Sequence, residues 1–195
     1  MPRQPDPDLE ARVLNAAHKL WRRGGDKALT LRAVARAAGT NTPAVYRRFK
    51  DRHDLIRGLL LRIVDRLGKL FEAGKTVEDM LDVYVRYALE EPREYELFYT
   101  YGYELNPKKR PGPVRPIRES RPNFALVEQR LAKQLGGSPE EQTRLTLALW
   151  TLAHGTSTLL LSKSLPEGHE EELLSATRTA VKVLLDGAAK FQEGK

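Results

Sequence analysis

The apolar residues of this chain recur at helical spacing along almost its whole length, and this pattern limits the fold more than any other feature. In the first segment they recur every three or four positions, and Gly24 and Gly25 follow the last of them. The members of this stripe are Leu9, Val13, Ala16, Ala17 and Leu20. No stretch alternates with the period of two that a strand requires. The sequence therefore predicts an all-α protein of about nine helices.

Composition excludes several classes of protein. The 195 residues are 41% hydrophobic, which is enough for a sizeable core, and no cysteine is available for disulfides, thiolate chemistry or Cys-based metal sites. No uninterrupted apolar stretch approaches the roughly 20 residues of a membrane span. The first ten residues contain three acids and no apolar run, so no signal peptide is expected. We expect a cytoplasmic protein without a membrane partner.

Charge is unevenly distributed along the chain. Residues 1–70 contain 16 Lys and Arg against 7 Asp and Glu, whereas residues 71–195 contain 17 against 19. A basic N-terminal part joined to a nearly neutral remainder suggests a module that binds a polyanion, attached to a body with another task. The alternative is a basic solvated surface that has no partner.

Two short helices separated by a glycine are the most specific pattern. Thr30 can cap the first helix and Gly39 can end it, while Asn41 or Thr42 can cap the second, with Pro43 in its first turn. The apolar residues that would pack them together are Leu31, Val34, Ala35, Val45 and Phe49. Two helices joined by a three-residue turn that contains glycine form a helix-turn-helix.

The second of these helices is the candidate for reading DNA. In a helix-turn-helix the second helix enters the major groove with its N-terminal residues near the base edges. The positions expected to point outward are Thr42, Pro43, Ala44, Arg47 and Arg48. Short side chains allow close approach, and an arginine fork can pair with guanine or hold a phosphate.

The rest of the chain predicts further helices around one irregular segment. Asp51, with Asp54 three residues on, can cap a long helix over 51–73. The other helices are expected at 76–90, 92–103, 124–135, 139–163 and 170–191. Residues 104–123 contain five prolines and six Lys or Arg, which predicts an extended basic loop. Such a loop could approach DNA, gate a pocket or simply be solvated.

The run TLRAVARAAGTNTPAVYRRFKDRHDLIRGLL, which starts at Thr30, resembles the N-terminal signature of TetR-type transcriptional regulators. The match covers about residues 9–60. The segment from Trp150 to Gly155 resembles the Trp-x-x-x-His-Gly segment of one TetR C-terminal subfamily. The resemblance implies a three-helix DNA-binding domain at 1–50 and a helical effector-binding and dimerisation domain at 51–195, connected by the helix 51–73.

The resemblance also implies roles for single residues. Tyr46 matches a tyrosine that touches the DNA backbone, although a rim residue covering Val34 is the alternative. Asn41 to Ala44 match the start of the recognition helix, and the variable positions Arg47 and Arg48 follow. Arg32 and Arg52 match positions that contact phosphates, and Arg52 stands where lysine is more usual.

A candidate ligand pocket comes from aromatic residues. Six of the seven tyrosines lie between residues 84 and 103, and aromatic walls with polar tips suit apolar ligands. The candidate lining residues are Tyr84, Tyr87, Phe98, Tyr101, Trp150 and His154. Packing in an ordinary helical core, with His154 satisfied by a neighbour, explains the same residues. The other histidines show no paired ligand spacing, so we expect no metal and no cofactor.

A useful reading of DNA requires two helix-turn-helix motifs about 34 Å apart, so a homodimer is expected. The predicted dimer surface lies on the helices 139–163 and 170–191. Its residues are Leu145, Ala148, Leu152, Leu159, Leu160, Leu173, Ala180, Val183, Leu184 and Phe191.

We therefore expect a dimeric repressor that binds a palindromic operator. A small, mainly apolar ligand would release it from the operator by changing the separation of its two helix-turn-helix motifs. One rival is an architectural DNA-binding protein without an effector. An enzyme with a DNA-binding appendage is the other rival, but the body has no catalytic constellation.

Overall fold

A computed structural model describes residues 6–106 and 114–193, with side chains described as far as residue 190. Nine α-helices and two short 3₁₀ turns occur in this part of the chain, which contains no strand. The helices are α1 (Leu9–Ala28), α2 (Leu31–Ala37), α3 (Thr42–Arg48), α4 (Arg52–Ala73), α5 (Val77–Glu90), α6 (Pro92–Tyr101), α7 (Pro122–Leu135), α8 (Thr143–Leu161) and α9 (Glu170–Glu193). The all-α prediction is confirmed.

The chain divides into two compact units. Unit 1 comprises Met1–Ile63 and Arg93–Lys108, and unit 2 comprises Val64–Pro92 and Lys109–Lys195. The helix α4 crosses the boundary between Ile63 and Val64. Unit 1 therefore takes in α6, which the sequence analysis assigns to the effector domain, while the functional division at residue 50 stays a prediction.

The core of unit 1 lies between α1, the two short helices and the first half of α4. Full burial of each large apolar side chain contributes roughly 1.5–3 kcal/mol to the hydrophobic stabilisation. The fully buried members include Val13, Ala17, Trp21, Val34, Val45, Leu55 and Ile56. Trp21 and Leu14 lie outside the predicted stripe of α1, whereas Leu20 is only half-buried. The buried face is wider than predicted because Leu14 and Trp21, seven residues apart, lie beside the expected row.

Side-chain caps define where several helices begin. The Thr30 hydroxyl accepts a hydrogen bond from the amide of Ala33 at 3.2 Å. Thr76 and Asp79 form a reciprocal capping box at the start of α5, and Asp51 accepts from the amide of Asp54 at 2.8 Å. These caps confirm the predicted starts of α2, α5 and the long helix α4.

Unit 2 packs α5, α7, α8 and α9 together around a second core. Its buried apolar residues include Val77, Met80, Ala88, Leu131, Leu149, Ala153, Val181 and Leu185. Helix α8 begins at Thr143, four residues later than predicted. The amide of Ser138 donates to the Glu141 carboxylate at 2.8 Å, and Gln142 donates to the Pro139 carbonyl at 3.2 Å, so this stretch forms a tight turn instead.

Candidate nucleic-acid interface and ligand site

The helix-turn-helix segment, residues 30–49, has a backbone fixed at its turn. Gly39 has φ +65°, in the left-handed region that L side chains rarely adopt. The amide of Thr40 donates to the Ala35 carbonyl at 2.9 Å, which closes α2. The Asn41 side chain then accepts from the amide of Ala44 at 2.9 Å and starts α3. The predicted helix-turn-helix is confirmed in its helices, caps and turn.

A glycine substitution tests this turn. We expect Gly39→Ala to lower the free energy of unfolding by about 1 kcal/mol, because the alanine must adopt the left-handed conformation. No described atom lies within 4 Å of a Cβ added there, so crowding adds nothing. Gly39→Asn serves as the control and should lose less, since asparagine tolerates this region. Equal losses in urea unfolding of the two variants would contradict the assignment.

The two short helices divide their residues between a buried and an exposed face. Val34, Val45 and Phe49 are buried, as predicted, whereas Tyr46 is 52% exposed. Among the other predicted contact residues, the exposed ones are Arg32, Asn41, Pro43, Arg47 and Arg48, and Thr42 is half-buried.

The prediction that Ala44 points outward is wrong, because its side chain is only 4% exposed. Helix α3 has seven residues, and Ala44 and Val45 together supply its buried side. A methyl group held there is directed away from any groove that α3 enters.

The exposed face is purely basic in charge. Residues 27–50 contain six Lys or Arg and no Asp or Glu. Within the described part of the chain, the side chains of Arg32, Arg36 and Arg47 make no hydrogen bond or ion pair. Arg48 makes one long hydrogen bond, from Nη2 to the Asp6 carbonyl at 3.4 Å. Cations that are not already paired keep their full attraction for a polyanion.

Arg52 lies in a different setting from these arginines. Its Nε donates to the Leu29 carbonyl at 2.9 Å, and its Nη2 donates to the Asp26 carboxylate at 2.7 Å. The hydroxyl of Tyr101 also donates to that carboxylate and accepts from Arg52 Nη1 at 3.4 Å. The Tyr101 hydrogen bond and then the Arg52 hydrogen bond lower the pKa of Asp26 below its usual value. The predicted phosphate contact of Arg52 stays a prediction.

Further contacts attach α6 and the following turn to the rest of unit 1. Trp21 Nε1 donates to the Arg93 carbonyl, and the His18 imidazole lies 2.5 Å from the carboxylate of Glu94. Glu94 is almost fully buried. The His53 imidazole pairs in the same way with Glu104 at 2.6 Å. These pairs join residues about 50 or more positions apart in the chain, which no local sequence pattern indicates.

The predicted pocket residues are divided between the two units. In unit 2, the Tyr84 hydroxyl lies 3.1 Å from His154 Nδ1, and the Trp150 ring meets Phe124 edge to face at 6.2 Å. Tyr87 is buried and accepts a hydrogen bond from Arg66 at 3.1 Å. Phe98 and Tyr101 belong to unit 1. The ligand site therefore stays a prediction, and its predicted residues in unit 2 are Tyr84, Tyr87, Trp150 and His154.

His154 gives unit 2 a pH dependence. Burial lowers the pKa of the imidazole below its ordinary value of 6.5. As the pH falls through and below 6.5, the unfolded chain binds a proton that the folded chain does not. We expect the free energy of unfolding to fall in that window, and to fall less in His154→Gln. Identical pH profiles of the two proteins in chemical unfolding between about pH 8 and pH 5 would contradict this.

Unit 2 contains a buried ion pair that no sequence pattern predicts. The carboxylate of Glu128, on α7, is 1% exposed. Arg118 lies with Nε 3.1 Å from Glu128 Oε2 and donates from Nη2 to Oε1 at 3.2 Å, while the Thr143 hydroxyl donates to Oε1 at 2.6 Å. Arg118 also pairs with Glu140. This end of the predicted 104–123 loop is therefore held against the helices, whereas residues 107–113 lie outside the described part.

The structure shows no metal centre or membrane helix in the residues that it describes. No group of three His, Asp or Glu that could hold an ion occurs among them. None of the helices in the same ranges is long and apolar enough to cross a membrane.

Comparison with known families accounts for both units. Residues 13–59 match the bacterial regulatory proteins of the tetR family, and residues 77–184 match the tetracyclin repressor-like C-terminal domain. The chain belongs to the TetR family of transcriptional regulators. The Trp-x-x-x-His-Gly subfamily resemblance stays a prediction. No curated protein matches the chain.

Solved structures share this fold at low sequence identity. A TetR-family transcriptional regulator from Streptomyces coelicolor is 21% identical over 92% of this chain and 99% of that one, with a TM-score of 0.66. The multidrug binding protein EbrR, complexed with imidazole, is 19% identical over 94% and 93%, with a TM-score of 0.61. A TetR variant from Acinetobacter baumannii AYE, in complex with minocycline, is 15% identical over 92% and 95%, with a TM-score of 0.60.

Proposed function

We propose that the protein is a dimeric cytoplasmic repressor whose α3 enters the major groove of a palindromic operator. The observation that carries this is the exposed, acid-free face of the helix-turn-helix segment, on which Arg32, Arg36 and Arg47 lack partners among the described residues. Phosphate contacts supply affinity and base contacts supply selectivity, and arginine can serve both. The proposed DNA contacts are Arg32, Asn41, Thr42, Pro43, Tyr46, Arg47 and Arg48.

The dimer is proposed to form through α8 and α9. Among the described members of the predicted dimer surface none is buried, and Leu159 and Val183 are 40% and 65% exposed. A Cβ added at Gly155 or Gly187 would meet no described atom within 4 Å. Two helices from each subunit can pack these faces together as a four-helix bundle.

The effector is proposed to be a small, mainly apolar and uncharged molecule bound in unit 2. Tyr84 and His154 offer a polar pair, and Trp150, whose ring meets that of Phe124, lies one helical turn before His154 on α8. A lowered pKa keeps the imidazole neutral at pH 7, so it donates or accepts a hydrogen bond without a charge. Two neighbours of this fold, which are complexed with imidazole and with minocycline, support the proposal of a small-molecule effector.

Selection from random DNA duplexes tests the DNA-binding part. The purified protein, at near-physiological salt, should enrich a palindrome whose half-sites lie about 34 Å, or one helical turn, apart. A folded dimer that enriches nothing would contradict the operator proposal and favour an architectural DNA-binding protein.

A thermal-shift screen of uncharged apolar compounds tests the effector part. A compound that raises the melting temperature should weaken operator binding, and operator DNA should weaken compound binding by the same factor. A compound that strengthens operator binding would contradict release.

Replacing Arg47 distinguishes its two possible contacts. If Arg47 reads a base, Arg47→Ala should lose about 1–3 kcal/mol of discrimination at one operator position, measured by binding to single-base variants. If it holds a phosphate, all duplexes should weaken alike. Arg86→Ala, an exposed arginine on α5, is the control and should change neither. Unchanged affinity and discrimination in Arg47→Ala would remove Arg47 from the interface.

A further inference from the structure

Arg52 occupies a hydrogen-bonded cluster that leaves it little capacity for DNA. A guanidinium has five N–H donors. One donates to the Leu29 carbonyl, Nη2 donates to both the carbonyl and the carboxylate of Asp26, and Nη1 donates to Tyr101. One N–H on Nη1 remains. A bidentate phosphate contact would therefore require part of the cluster to break.

The partners of Arg52 lie at both ends of the helix-turn-helix segment. Leu29 comes directly before Thr30, which caps α2, and Arg52 comes shortly after Phe49, which follows α3. The 2.9 Å hydrogen bond from Arg52 Nε to the Leu29 carbonyl therefore joins the chain entering the segment to the chain leaving it. Its acceptor is a backbone atom, so it restrains the main chain itself.

Tyr101 stabilises the hydrogen bond between Arg52 and the Leu29 carbonyl by contacting Arg52 and its partner Asp26. Its ring packs edge to face against Trp21 at 6.1 Å, and the Arg52 guanidinium lies 5.7 Å from its centre. Its hydroxyl binds the Asp26 carboxylate that Arg52 also contacts. Trp21 is fully buried and its Nε1 donates a hydrogen bond to the Arg93 carbonyl. Tyr101 therefore packs against a side chain that is itself held in place.

We propose that Arg52 is a positioning residue, which with Asp26 and Tyr101 fixes the helix-turn-helix segment on α4 for operator binding. Arg52 then contributes geometry to the interface, while the phosphate contacts come from the arginines of α2 and α3. The lysine that is more usual at this position could hold a phosphate but could not form this fork of hydrogen bonds. This inference rests on the proposed operator binding.

The experiment measures binding to the operator duplex that the wild-type protein selects, over a range of potassium chloride concentrations. The variants are Arg52→Lys, Arg52→Ala, Tyr101→Phe and the double variant Arg52→Lys with Tyr101→Phe. Arg57→Lys is the control because Arg57 is exposed on the same helix. Circular dichroism and sedimentation check fold and oligomeric state. We expect Arg52→Lys and Tyr101→Phe each to bind about fivefold more weakly, as the loss of a hydrogen bond predicts. The salt slope should be unchanged, and the double variant should be no weaker than Arg52→Lys.

A phosphate contact predicts the opposite pattern. Arg52→Lys would then bind like the wild type, while Arg52→Ala would reduce the salt slope by about one. That result overturns the inference, as do losses that multiply independently in the double variant. If Arg52→Lys fails to fold, Tyr101→Phe decides alone, and unchanged affinity overturns the inference. A wild-type protein that selects no operator contradicts the proposed function instead, before any variant is compared.

Discussion

Arg118→Ala should lower the free energy of unfolding by about 3 kcal/mol or more, because it leaves the buried carboxylate of Glu128 without its cation. The carboxylate is 1% exposed, and its other hydrogen bond comes from the neutral hydroxyl of Thr143. One hydroxyl cannot compensate a buried charge. Urea unfolding at pH 7 measures the loss, and the melting temperature should fall with it.

Two controls separate burial from the loss of a surface charge. Arg115→Ala removes an exposed arginine whose contact with Glu119 is 3.6 Å long, and should cost less than about 1 kcal/mol. Adding Glu128→Gln to Arg118→Ala removes the stranded charge and should restore part of the lost stability. If Arg118→Ala and Arg115→Ala unfold at the same urea concentration, the ion pair between Arg118 and Glu128 does not stabilise the fold.

Val183→Glu should dissociate the proposed dimer and weaken operator binding about 100-fold or more, because each head then binds its half-site alone. Val183 is 65% exposed on α9. An exposed apolar side chain contributes hydrophobic stabilisation only when a partner surface covers it. A carboxylate introduced there would be desolvated in the interface, and the twofold symmetry of a dimer would repeat this cost on the second subunit. Sedimentation velocity measures the dissociation, and operator binding measures its consequence.

Lys182→Glu is the matched control on the same helix. Lys182 is exposed and lies off the face that Val183 shares with Ala180 and Leu184. It should leave both the dimer and the affinity unchanged. If Val183→Glu remains dimeric and binds the operator as before, the dimer surface lies elsewhere.

The features that sequence analysis predicts correctly depend on neighbouring residues. Thr30, Asn41 and Thr76 cap helices because their side chains reach amides three positions away, and Gly39 ends α2 by its own conformation. Such interactions are encoded within one turn of chain. The helices of unit 1 and the helix-turn-helix therefore follow from the order of residues alone.

The features that no local pattern predicted depend on residues more than one helical turn apart in the chain. Arg52 is a basic residue at the position expected for a phosphate contact, but its partners Asp26 and Tyr101 lie 26 and 49 positions away. Arg118 belongs to a segment whose prolines predict solvent exposure, and its partner Glu128 lies ten positions away, which is still farther than one helical turn. Aromatic clustering likewise could not separate Tyr101, in unit 1, from Tyr84, in unit 2.

The hydrogen bond between Arg52 and the Leu29 carbonyl bears on how such a regulator acquires a new target. Both partners of this hydrogen bond lie outside residues 30–49. The acceptor is a main-chain oxygen, which every substitution of Leu29 preserves. The buried Val34, Val45 and Phe49 supply the packing, while Arg32 and Arg47 lie exposed between these partners in the chain. The exposed positions can therefore be substituted one at a time without altering the hydrogen bond between Arg52 and Leu29. A new DNA target would therefore require substitutions only at these exposed positions, while the packing and the hydrogen bond that hold the helix-turn-helix segment stay the same.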